Sequence, residues 1–460
     1  MKDHTCLIAK LAAAHAKRSP QSAALDARAA KHLVDGGSHA IRLMHPFSPR
    51  IVSARGAWLK DEDGHDLLDF WQGHLANVLG HNPPLVASTL ARALDEGFGL
   101  QSGMVDRLQA EVAEILCRQT GAERVRLTTS GALATMYATM LARAFTGRDL
   151  VIKVGGGWHG AQPWGLKGVG FADGYQHVDT EGLPPSVTDE VVVTRFNDPR
   201  MLHEHLTQFG DRAACFIVEP FIGAGGLIAA SPEYLQTARE LTHRYGVLLI
   251  FDEVISGFRF HAGDAGSLYG IKPDMTTLGK VIGGGMPLAA VVGRADVLGL
   301  VGRAQGNRVK FSGGTYAAHP ASLLAAKTMI NYLVEHEDQV YPQLADLGER
   351  TRRTLETAFA EEGIHARCTG GGNEVLPGSS LFTVHFPYRD DIALDKPDVV
   401  YDPALCDVTL GRQVVELALL LEDVYAIHGH GALATAHTED DMDFFDRACR
   451  RVARRVKEHL

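Results

Sequence analysis

The sequence lacks the signatures of disulfide-rich, zinc-binding and membrane-spanning proteins. Its six cysteines are scattered over 460 residues and include no Cys-x-x-Cys pair, so neither a disulfide framework nor a zinc ribbon is predicted. Lys10 and His15 interrupt the apolar stretch near the start, and no other segment approaches the roughly 18 consecutive apolar residues of a membrane helix. We therefore expect a cytoplasmic protein with no membrane partner, and an amphipathic helix in place of a signal peptide.

The sequence also lacks an excess of positive charge. It has 45 Lys and Arg against 55 Asp and Glu, which gives a net charge of −10 without any basic run. Because basic surface drives binding to phosphate backbones, we expect no nucleic-acid partner. The 45% hydrophobic content is that of a globular protein. Glycine, at 49 residues, exceeds its usual share of about 7% and indicates tight turns or close backbone approaches.

Between about residues 125 and 295, short apolar runs rich in β-branched residues alternate with stretches of helical period. This alternation predicts an α/β domain with a parallel sheet covered by helices on both faces. One predicted helix spans 133–145, and another follows Ser231 and Pro232 and ends at Gly246. The predicted strands are Val125–Thr128, Leu150–Val154, Val191–Arg195, Phe216–Glu219, Val247–Asp252, Met275–Leu278 and Ala289–Val292.

The two ends of the chain do not continue this alternation. We expect residues 76–330 to form a large domain, since single cores rarely exceed roughly 250–300 residues. Residues 1–75 are assigned to an N-terminal segment that joins a small domain, and residues 331–460 to the C-terminal α+β part of that domain. The C-terminal part is predicted to contain helices Leu344–Ala360, Leu410–Leu421 and Asp440–Leu460 and strand Leu381–Phe386.

An apolar run, VLLIFDE, ends in the carboxylates of Asp252 and Glu253. Ligands lie beyond the carboxyl ends of parallel strands, so Asp252 is placed where a cofactor would meet it. Two adjacent acids also suit Mg²⁺ beside a nucleotide, but no Gly-rich segment is followed by the Lys-Ser/Thr of a phosphate loop. The His-x-His pairs lack carboxylate or thiolate neighbours, and we expect no metal site.

Lys280 follows the next strand-like run and is surrounded by apolar and small residues. Burial there would favour its neutral amine, the form that bonds an aldehyde as a Schiff base. A carboxylate and such a lysine on adjacent strand ends suit pyridoxal 5′-phosphate, with Asp252 on the pyridine nitrogen and Lys280 on carbon C4′. From this position alone, a surface lysine remains the alternative.

The predicted sheet also offers groups for the phosphate and the ring of this cofactor. Ser130, Gly131 and Ala132 form a turn between a strand and a helix, whose free N–H groups can bind a phosphate. The dinucleotide motif G-x-G-x-x-G is absent there. Trp158 follows strand 150–154, where an aromatic ring would stack on the pyridine. From the residues alone, Trp158 is equally a packing aromatic.

Together these motifs resemble the class III aminotransferases, a family of fold type I pyridoxal-phosphate enzymes. The nearest branch contains glutamate-1-semialdehyde aminomutase and the β-amino-acid and D-phenylglycine aminotransferases. The resemblance covers about residues 30–455 and implies a large domain with a mostly parallel sheet, plus a smaller α+β domain from both chain ends. It is carried by ARAFTGRDLVIKVGGGWHG (142–160), LLIFDEVISGFR (248–259), TTLGKVIGGGMPLAAVVGR (276–294) and FSGGTYAAHP (311–320).

The resemblance implies a role for each matching residue. Lys280 is the Schiff-base lysine and proton shuttle, and Asp252 pairs with the pyridine nitrogen. The other implied cofactor contacts are Ser130, Gly131 and Ala132 at the phosphate, Trp158 stacked on the ring with His159 beside it, Val254 under the ring, and Glu219 near O3′.

Two further implied contacts concern the partner subunit and the substrate. Gly314 and Thr315 would reach the phosphate of the neighbouring subunit, which implies a homodimer with a shared active site. Arg42, in GGSHAIR, lies where this branch holds the substrate carboxylate, a task that suits the planar donors of a guanidinium.

The sequence departs from the family pattern in the phosphate turn and near the C-terminus. Ala132 and Leu133 replace the usual Thr or Ser and Glu, so one hydroxyl and one carboxylate are lost. The loop VYAIHGHGALATAHT (424–438) is shorter than in the aminomutases and offers His428 and His430 where they carry a glutamate.

These departures favour a transaminase that moves an amino group between a carboxylate-bearing amino acid, of α-, β- or D-type, and an oxo acid. Pyridoxamine phosphate would be the second form of the cofactor. The alternatives are an isomerase like glutamate-1-semialdehyde 2,1-aminomutase, a racemase or lyase on the same site, and a non-catalytic protein on the same fold.

Overall fold

The computed structural model describes residues 3–459, so Leu460, the predicted end of the last helix, lies outside the described residues. In chain order the strands are β1 Ile51–Arg55, β2 Trp58–Asp61, β3 Asp66–Asp69, β4 Arg124–Thr128, β5 Leu150–Val154, β6 Val191–Thr194, β7 Ala213–Val218, β8 Phe221–Ile222, β9 Ile228–Ala229, β10 Leu248–Glu253, β11 Met275–Leu278, β12 Ala289–Gly293, β13 Arg367–Thr369, β14 Leu381–His385, β15 Val424–Tyr425 and β16 His430–Ala432.

The helices connect and cover these strands. They are α1 Thr5–Arg18, α2 Pro20–Ala29, α3 Gln72–Leu75, α4 Pro84–Asp95, α5 Arg107–Thr120, α6 Gly131–Thr146, α7 Pro185–Asp189, α8 Pro199–Phe209, α9 Pro232–Tyr245, α10 Ala265–Leu268, α11 Ala295–Leu298, α12 Pro320–Glu335, α13 Glu337–Glu361, α14 Pro397–Val400, α15 Val415–Leu420 and α16 Glu439–Lys457. A π-turn, Leu410–Val414, leads into α15. No helix within residues 3–459 is both long enough and apolar enough to cross a membrane.

Within the described residues, seven strands form the largest sheet, in the order β4-β12-β11-β10-β7-β5-β6. β12 is antiparallel to both of its neighbours, whereas the other adjacent pairs are parallel. All seven predicted strands are present, and the predicted fold class is confirmed. Because the parallel strands share one direction, their carboxyl ends meet at one edge of the sheet.

Two separate clusters of buried side chains cover the faces of this sheet. Successive residues of a strand point to opposite faces, and accordingly Val151 packs with α6 while Ile152 packs with α8 and α9. In β10, Ile250 and Phe251 divide in the same way. The fully apolar strands are therefore explained by burial on both sides.

Helix α9 shows why its bounds are predictable. The Ser231 hydroxyl accepts a hydrogen bond from Tyr234 N–H at 3.2 Å, and Pro232 occupies the first turn. Gly246 ends the helix at φ +63°, a left-handed conformation that favours glycine. The predicted start and end of this helix are confirmed.

The two chain ends pack against each other. β15 pairs in parallel with β3, with Val424 opposite Leu68, and so completes the sheet β1-β2-β3-β15. A second small sheet, β13-β14-β16, packs with α13 and α16 around a common core. A smaller α+β unit thus draws on both ends, while the boundaries at residues 75 and 330 stay predictions.

Candidate active site

Three of the predicted site residues lie at the carboxyl ends of neighbouring strands. β10 lies between β7 and β11. Asp252 is the second-to-last residue of β10, Glu219 directly follows β7, and Lys280 lies two residues beyond β11. Both carboxylic side chains are 4% exposed and Lys280 is half-buried. The sheet therefore gathers two acids and one amine at the edge where ligands of α/β proteins bind.

The Lys280 amine has an altered acidity. Burial lowers the pKa of Lys280 to about 8, although the charges of Asp252 and Glu219 act to raise it. Its backbone has φ +46°, which is unusual for a residue with a side chain, and the 3-10 turn Lys280–Gly283 begins there. The amine thus has a neutral fraction near neutral pH, and a constrained backbone positions it.

The Asp252 carboxylate is held on both of its oxygens. Oδ2 lies 2.7 Å from Nδ1 of His159, and Oδ1 accepts hydrogen bonds from Thr277 Oγ1 at 2.9 Å and from Val254 N–H at 3.2 Å. These contacts fix the carboxylate plane. The sequence places His159 beside Trp158, but it does not predict the hydrogen bond to Asp252, because 93 residues separate the two.

The His159 ring is buried and only half satisfied. Burial lowers the pKa of His159, and the hydrogen bond and charge of Asp252 oppose that shift. Its Nε2 has no hydrogen-bond partner within the part of the chain that the structure describes. Its ring stacks with Trp164 at a centroid distance of 5.9 Å. A buried nitrogen without a partner is uncommon in folded proteins and marks a place where a water or ligand completes the site.

Glu219 joins the strand edge to the loop that carries Trp158. Its Oε1 accepts a hydrogen bond from Trp158 N–H at 3.1 Å, and its Oε2 accepts one from Gly223 N–H at 2.9 Å. Burial and the nearby Asp252 raise the pKa of Glu219 to about 8. The Trp158 side chain is 42% exposed, so its indole is not fully packed against the protein.

The predicted phosphate turn lies against the end of β10. Ser130 caps α6, and its hydroxyl accepts a hydrogen bond from Leu133 N–H at 3.3 Å. The N–H groups of Gly131 and Ala132 belong to the first turn, which has no intrahelical acceptors. A Cβ at Gly131 would lie 2.8 Å from Cγ1 of Val254, so the turn packs directly on the residue that follows the β10 acids.

Within the described residues, the side chains of Arg42 and Thr315 form no hydrogen bond or ion pair with this cluster. Arg42 is exposed in the 3-10 turn Ala40–Arg42. Gly314 and Thr315 are exposed too, and their loop meets the Tyr137 hydroxyl through Gly313 N–H at 3.3 Å. Within residues 3–459, no hydrogen bond or ion pair joins this loop to the strand-edge residues. Thr315 therefore makes no polar contact with the cluster in the described part of the single chain.

A set of aromatic and histidine rings next to Lys280 was not predicted. His74 stacks on Trp71 at 4.7 Å and meets His39 edge-on at 5.4 Å. Burial, together with the charges of Lys280 and Arg42, lowers the pKa of His74 to about 3. The available signal was WQGH, which begins two residues after the end of β3, but the sequence pattern does not connect it with residue 280.

The family model for class-III aminotransferases matches residues 42–372 of the chain. The protein belongs to the class-III aminotransferase family. Glutamate-1-semialdehyde 2,1-aminomutase of Methanocorpusculum labreanum is 38% identical over 344 residues, 74% of this chain and 80% of that protein. The enzyme of the same name from Laribacter hongkongensis is 33% identical over 439 residues, 93% of this chain and 98% of that one.

Solved structures of transaminases are also similar to this class-III aminotransferase family member. An omega-transaminase from Sphaerobacter thermophilus superposes with a TM-score of 0.86 at 31% identity and covers 95% of this chain and 99% of its own. A transaminase with PLP bound gives a TM-score of 0.82 at 28% identity, with 96% and 99% of the two chains covered. Every predicted site residue of this family member lies inside the matched segment 42–372.

Proposed function

We propose that this family member binds pyridoxal phosphate at the strand edge formed by β7, β10 and β11. The observation that carries the proposal is that a buried carboxylate and an amine of lowered pKa lie on adjacent strand ends, Asp252 and Lys280. The partly exposed indole of Trp158 and the unpartnered Nε2 of His159 also leave groups available to a planar polar ligand. A similar transaminase was solved with PLP bound.

When bound, pyridoxal phosphate supplies an aldehyde that bonds amines and a ring that withdraws electrons from the carbon next to the bound nitrogen. In the resting protein Lys280 would hold the aldehyde carbon. Once a substrate amine has replaced it, the Lys280 Nζ would be free to take the proton from the amine-bearing carbon of the substrate. Its lowered pKa leaves a neutral fraction for this step.

Asp252 would hold the proton on the pyridine nitrogen. A carboxylate can do so only if it stays oriented, and the hydrogen bonds from His159 and Thr277 prevent its rotation. The unpartnered Nε2 of His159 faces away from Asp252 across the imidazole ring. His159 thus orients the carboxylate that acts on the ring.

The remaining contacts would hold the two ends and faces of the cofactor. The N–H groups of Gly131 and Ala132, with Ser130 before them, suit a phosphate dianion at a helix N-terminus. Trp158 would cover one face of the ring and Val254 the other. Glu219, near O3′, carries a proton more readily than an ordinary carboxyl because burial raises its pKa to about 8.

We also propose that the active unit is a homodimer. Thr315 and Gly314 are exposed and, among residues 3–459, make no polar contact with the strand-edge cluster of their own chain, which supports a role for them at the phosphate of a partner subunit. Arg42 would hold the substrate carboxylate at the entrance. The shared influence of Arg42 and Lys280 on His74 supports a position of Arg42 beside the reacting amine.

For the overall reaction, we propose amino-group transfer on a carboxylate-bearing amino acid. The curated relatives support the intramolecular form of this reaction, in which the amino group returns to another carbon of the same molecule, as in the aminomutases. These relatives favour an aminomutase over an intermolecular transaminase, whereas the shorter loop 424–438 favours the transaminase. The intermolecular transaminase is the second candidate, supported by the omega-transaminase structure.

The deciding experiment follows the cofactor spectrum while one amine is added without an oxo acid. An intermolecular transaminase converts fully to the pyridoxamine phosphate form and releases one equivalent of oxo acid. An aminomutase turns glutamate-1-semialdehyde over repeatedly with no oxo acid released. If neither that substrate nor a panel of α-, β- and D-amino acids changes the spectrum, amino-group transfer is wrong.

The Lys280→Ala variant tests the site assignment itself. We expect the loss of the visible absorbance that the lysine-bound cofactor gives, together with at least a 10⁴-fold loss of activity, on the order expected for removal of a covalent catalytic group. Lys272→Ala, an exposed lysine before β11, is the control. Retained lysine-bound absorbance in Lys280→Ala would overturn the assignment.

A further inference from the structure

Lys153 is a fully buried lysine that none of the proposed catalytic roles uses. It lies in β5 between β6 and β7, opposite Val193 and Ile217, and is 0% exposed. Burial of an ammonium group costs several kcal/mol unless hydrogen bonds compensate for the lost water. Lysine at this position in an otherwise apolar strand therefore needs a specific reason.

All three donors of Lys153 are used on backbone carbonyls. Its Nζ lies 3.1 Å from Gly157 O, 3.2 Å from Gly165 O and 2.7 Å from Lys167 O. Within residues 3–459 it forms no ion pair with a carboxylate. The acceptors lie near the two ends of the loop 155–167, which leaves β5 and carries Trp158 and His159. One ammonium group thus ties the outgoing and returning parts of this loop together.

A single peptide group connects Lys153 with Glu219. The carbonyl of Gly157 accepts from Lys153 at 3.1 Å, and the N–H of Trp158, in the same peptide group, donates to Glu219 Oε1 at 3.1 Å. The planar peptide is therefore held on opposite sides by the amine of Lys153 and the carboxyl group of Glu219. A planar group with both ends fixed cannot rotate, so the backbone on which Trp158 is built has one orientation.

The pKa shifts of Lys153 and His159 also connect Lys153 with the site. Burial lowers the pKa of Lys153 to about 7, and the charges of Glu219 and Asp179 raise it. The charge of Lys153 in turn lowers the pKa of His159. Lys153 is thus electrostatically linked to the imidazole that orients Asp252.

We propose that Lys153 is a positioning residue that acts with Glu219, through the 157–158 peptide group, to orient Trp158 and His159 for cofactor binding. The inference rests on the proposed cofactor site. Lys153 itself contacts neither cofactor nor substrate; it fixes the loop before the cofactor arrives. The site is in this way preorganised, and binding does not have to order the loop.

Hydrogen exchange of the cofactor-free full-length protein tests the inference. In Lys153→Met, which keeps the length of the side chain and removes its donors, the amides of residues 155–167 should exchange at least about tenfold faster, while the other strands of the sheet keep their protection. Arg148→Met is the matched control, because its guanidinium also donates to backbone carbonyls, at Gly210 and Tyr245, outside this loop. Unchanged exchange in the loop of Lys153→Met would overturn the proposal.

A double-mutant cycle tests the connection through the peptide group. Glu219→Leu, which removes both acceptor oxygens, should loosen the same loop, and the double variant should exchange no faster than the faster single variant, because both residues hold one peptide. Additive effects would show that the two residues act independently. If Lys153→Met fails to fold, Lys153→Gln, which keeps two N–H donors, replaces it. The exchange rate of the loop in Lys153→Gln should then lie between those of the unmodified protein and a variant without donors.

Titration with pyridoxal phosphate then links the loop to the cofactor. We expect Lys153→Met to raise the cofactor Kd about tenfold, or 1.4 kcal/mol, and to weaken the quenching of Trp158 fluorescence at saturation, with Trp158→Phe as the reference for that signal. A normal Kd and normal quenching beside a loosened loop would reject the positioning role. Absence of cofactor binding in the unmodified protein would instead reject the proposed function and leave the exchange result intact.

Discussion

The reactivity of Lys280 depends on two opposing influences. Burial favours the neutral amine, whereas Asp252 and Glu219 favour the ammonium form. The outcome is a pKa of about 8, low enough for a neutral fraction and high enough for the amine to accept a proton. A lysine at this balance suits both bonding to an aldehyde and proton transfer.

This balance predicts how cofactor binding depends on pH. Only the neutral amine of Lys280 bonds an aldehyde, so the rate constant for binding pyridoxal phosphate to the cofactor-free protein should rise with pH and level off above about 8. Stopped-flow absorbance measures it. In Glu219→Gln the midpoint should move to lower pH, because a carboxylate that raises the pKa of Lys280 is gone. A midpoint that stays in place, or moves upward, would contradict this account.

Arg42 gives a prediction about the substrate. Arg42→Ala should raise KM for carboxylate substrates about tenfold to a hundredfold, because a charge-assisted hydrogen bond contributes roughly 1.5–3 kcal/mol. KM for amines that lack a carboxylate should change little. Steady-state kinetics with both substrate types measures the difference, and Arg55→Ala, an exposed arginine of β1, is the control. Equal increases for both types would mean that Arg42 has a structural role.

The residues that sequence reasoning finds are those that end a recognisable strand. Asp252, Lys280 and Trp158 each follow an apolar run, and the parallel arrangement places such residues at one edge. Lys153 lies inside a strand, and its sequence neighbours do not indicate that three backbone carbonyls accept hydrogen bonds from its amine. The hydrogen bond between His159 and Asp252 depends on the order of the strands in the sheet, and composition and periodicity do not predict that order.

At the scale of elements, the turn before α6 is limited by its contact with β10. Gly131 has no room for a side chain because Val254 fills the space. The turn, the strand end and the predicted phosphate site therefore form one unit. A substitution that moves the turn should therefore weaken phosphate binding.

Gly131→Ala should raise the Kd for pyridoxal phosphate about tenfold, or 1.4 kcal/mol, because its Cβ would lie 2.8 Å from Val254 Cγ1 and push the turn away. Equilibrium titration of the cofactor-free protein measures this. Gly147→Ala, at the other end of α6, is the control: its φ of +71° makes alanine strained, but nothing lies within 4 Å of the new Cβ. It should lower thermal stability and leave the Kd unchanged. Equal loss of affinity in both variants would indicate general destabilisation of α6.

Strand positions are predictable here because burial on both faces makes most strands of the large sheet nearly continuous apolar runs. Strand direction is a different matter. β12 reads like its neighbours but runs antiparallel to them, since direction depends on the length and course of the connection after β11. The short pair β8 and β9, which forms after Glu219, carries too few residues for a recognisable period.

At the scale of the whole molecule, the exposed position of Thr315 predicts sharing between subunits. Lys280→Ala and Thr315→Ala homodimers should each be impaired. Mixed dimers, formed by reversible unfolding or co-expression, contain one site with both changes and one with neither. A one-to-one mixture should recover about a quarter of the unmodified sites in a twofold-symmetric dimer. Activity measured against the fraction of mixed dimer tests this, and no recovery above the two parents would place Thr315 in its own subunit's site.

The pairing of β15 with β3 has a consequence for how the protein is made. Val424 pairs with Leu68, although more than three quarters of the polypeptide separates them in sequence. Non-local pairings of this kind form slowly because long loops must close first. During synthesis, residues 51–69 wait with an unpaired strand edge until the last part of the chain leaves the ribosome. The N-terminal sheet is thus the segment most dependent on chaperones, and truncation before residue 424 should leave an aggregation-prone edge on an otherwise formed large sheet.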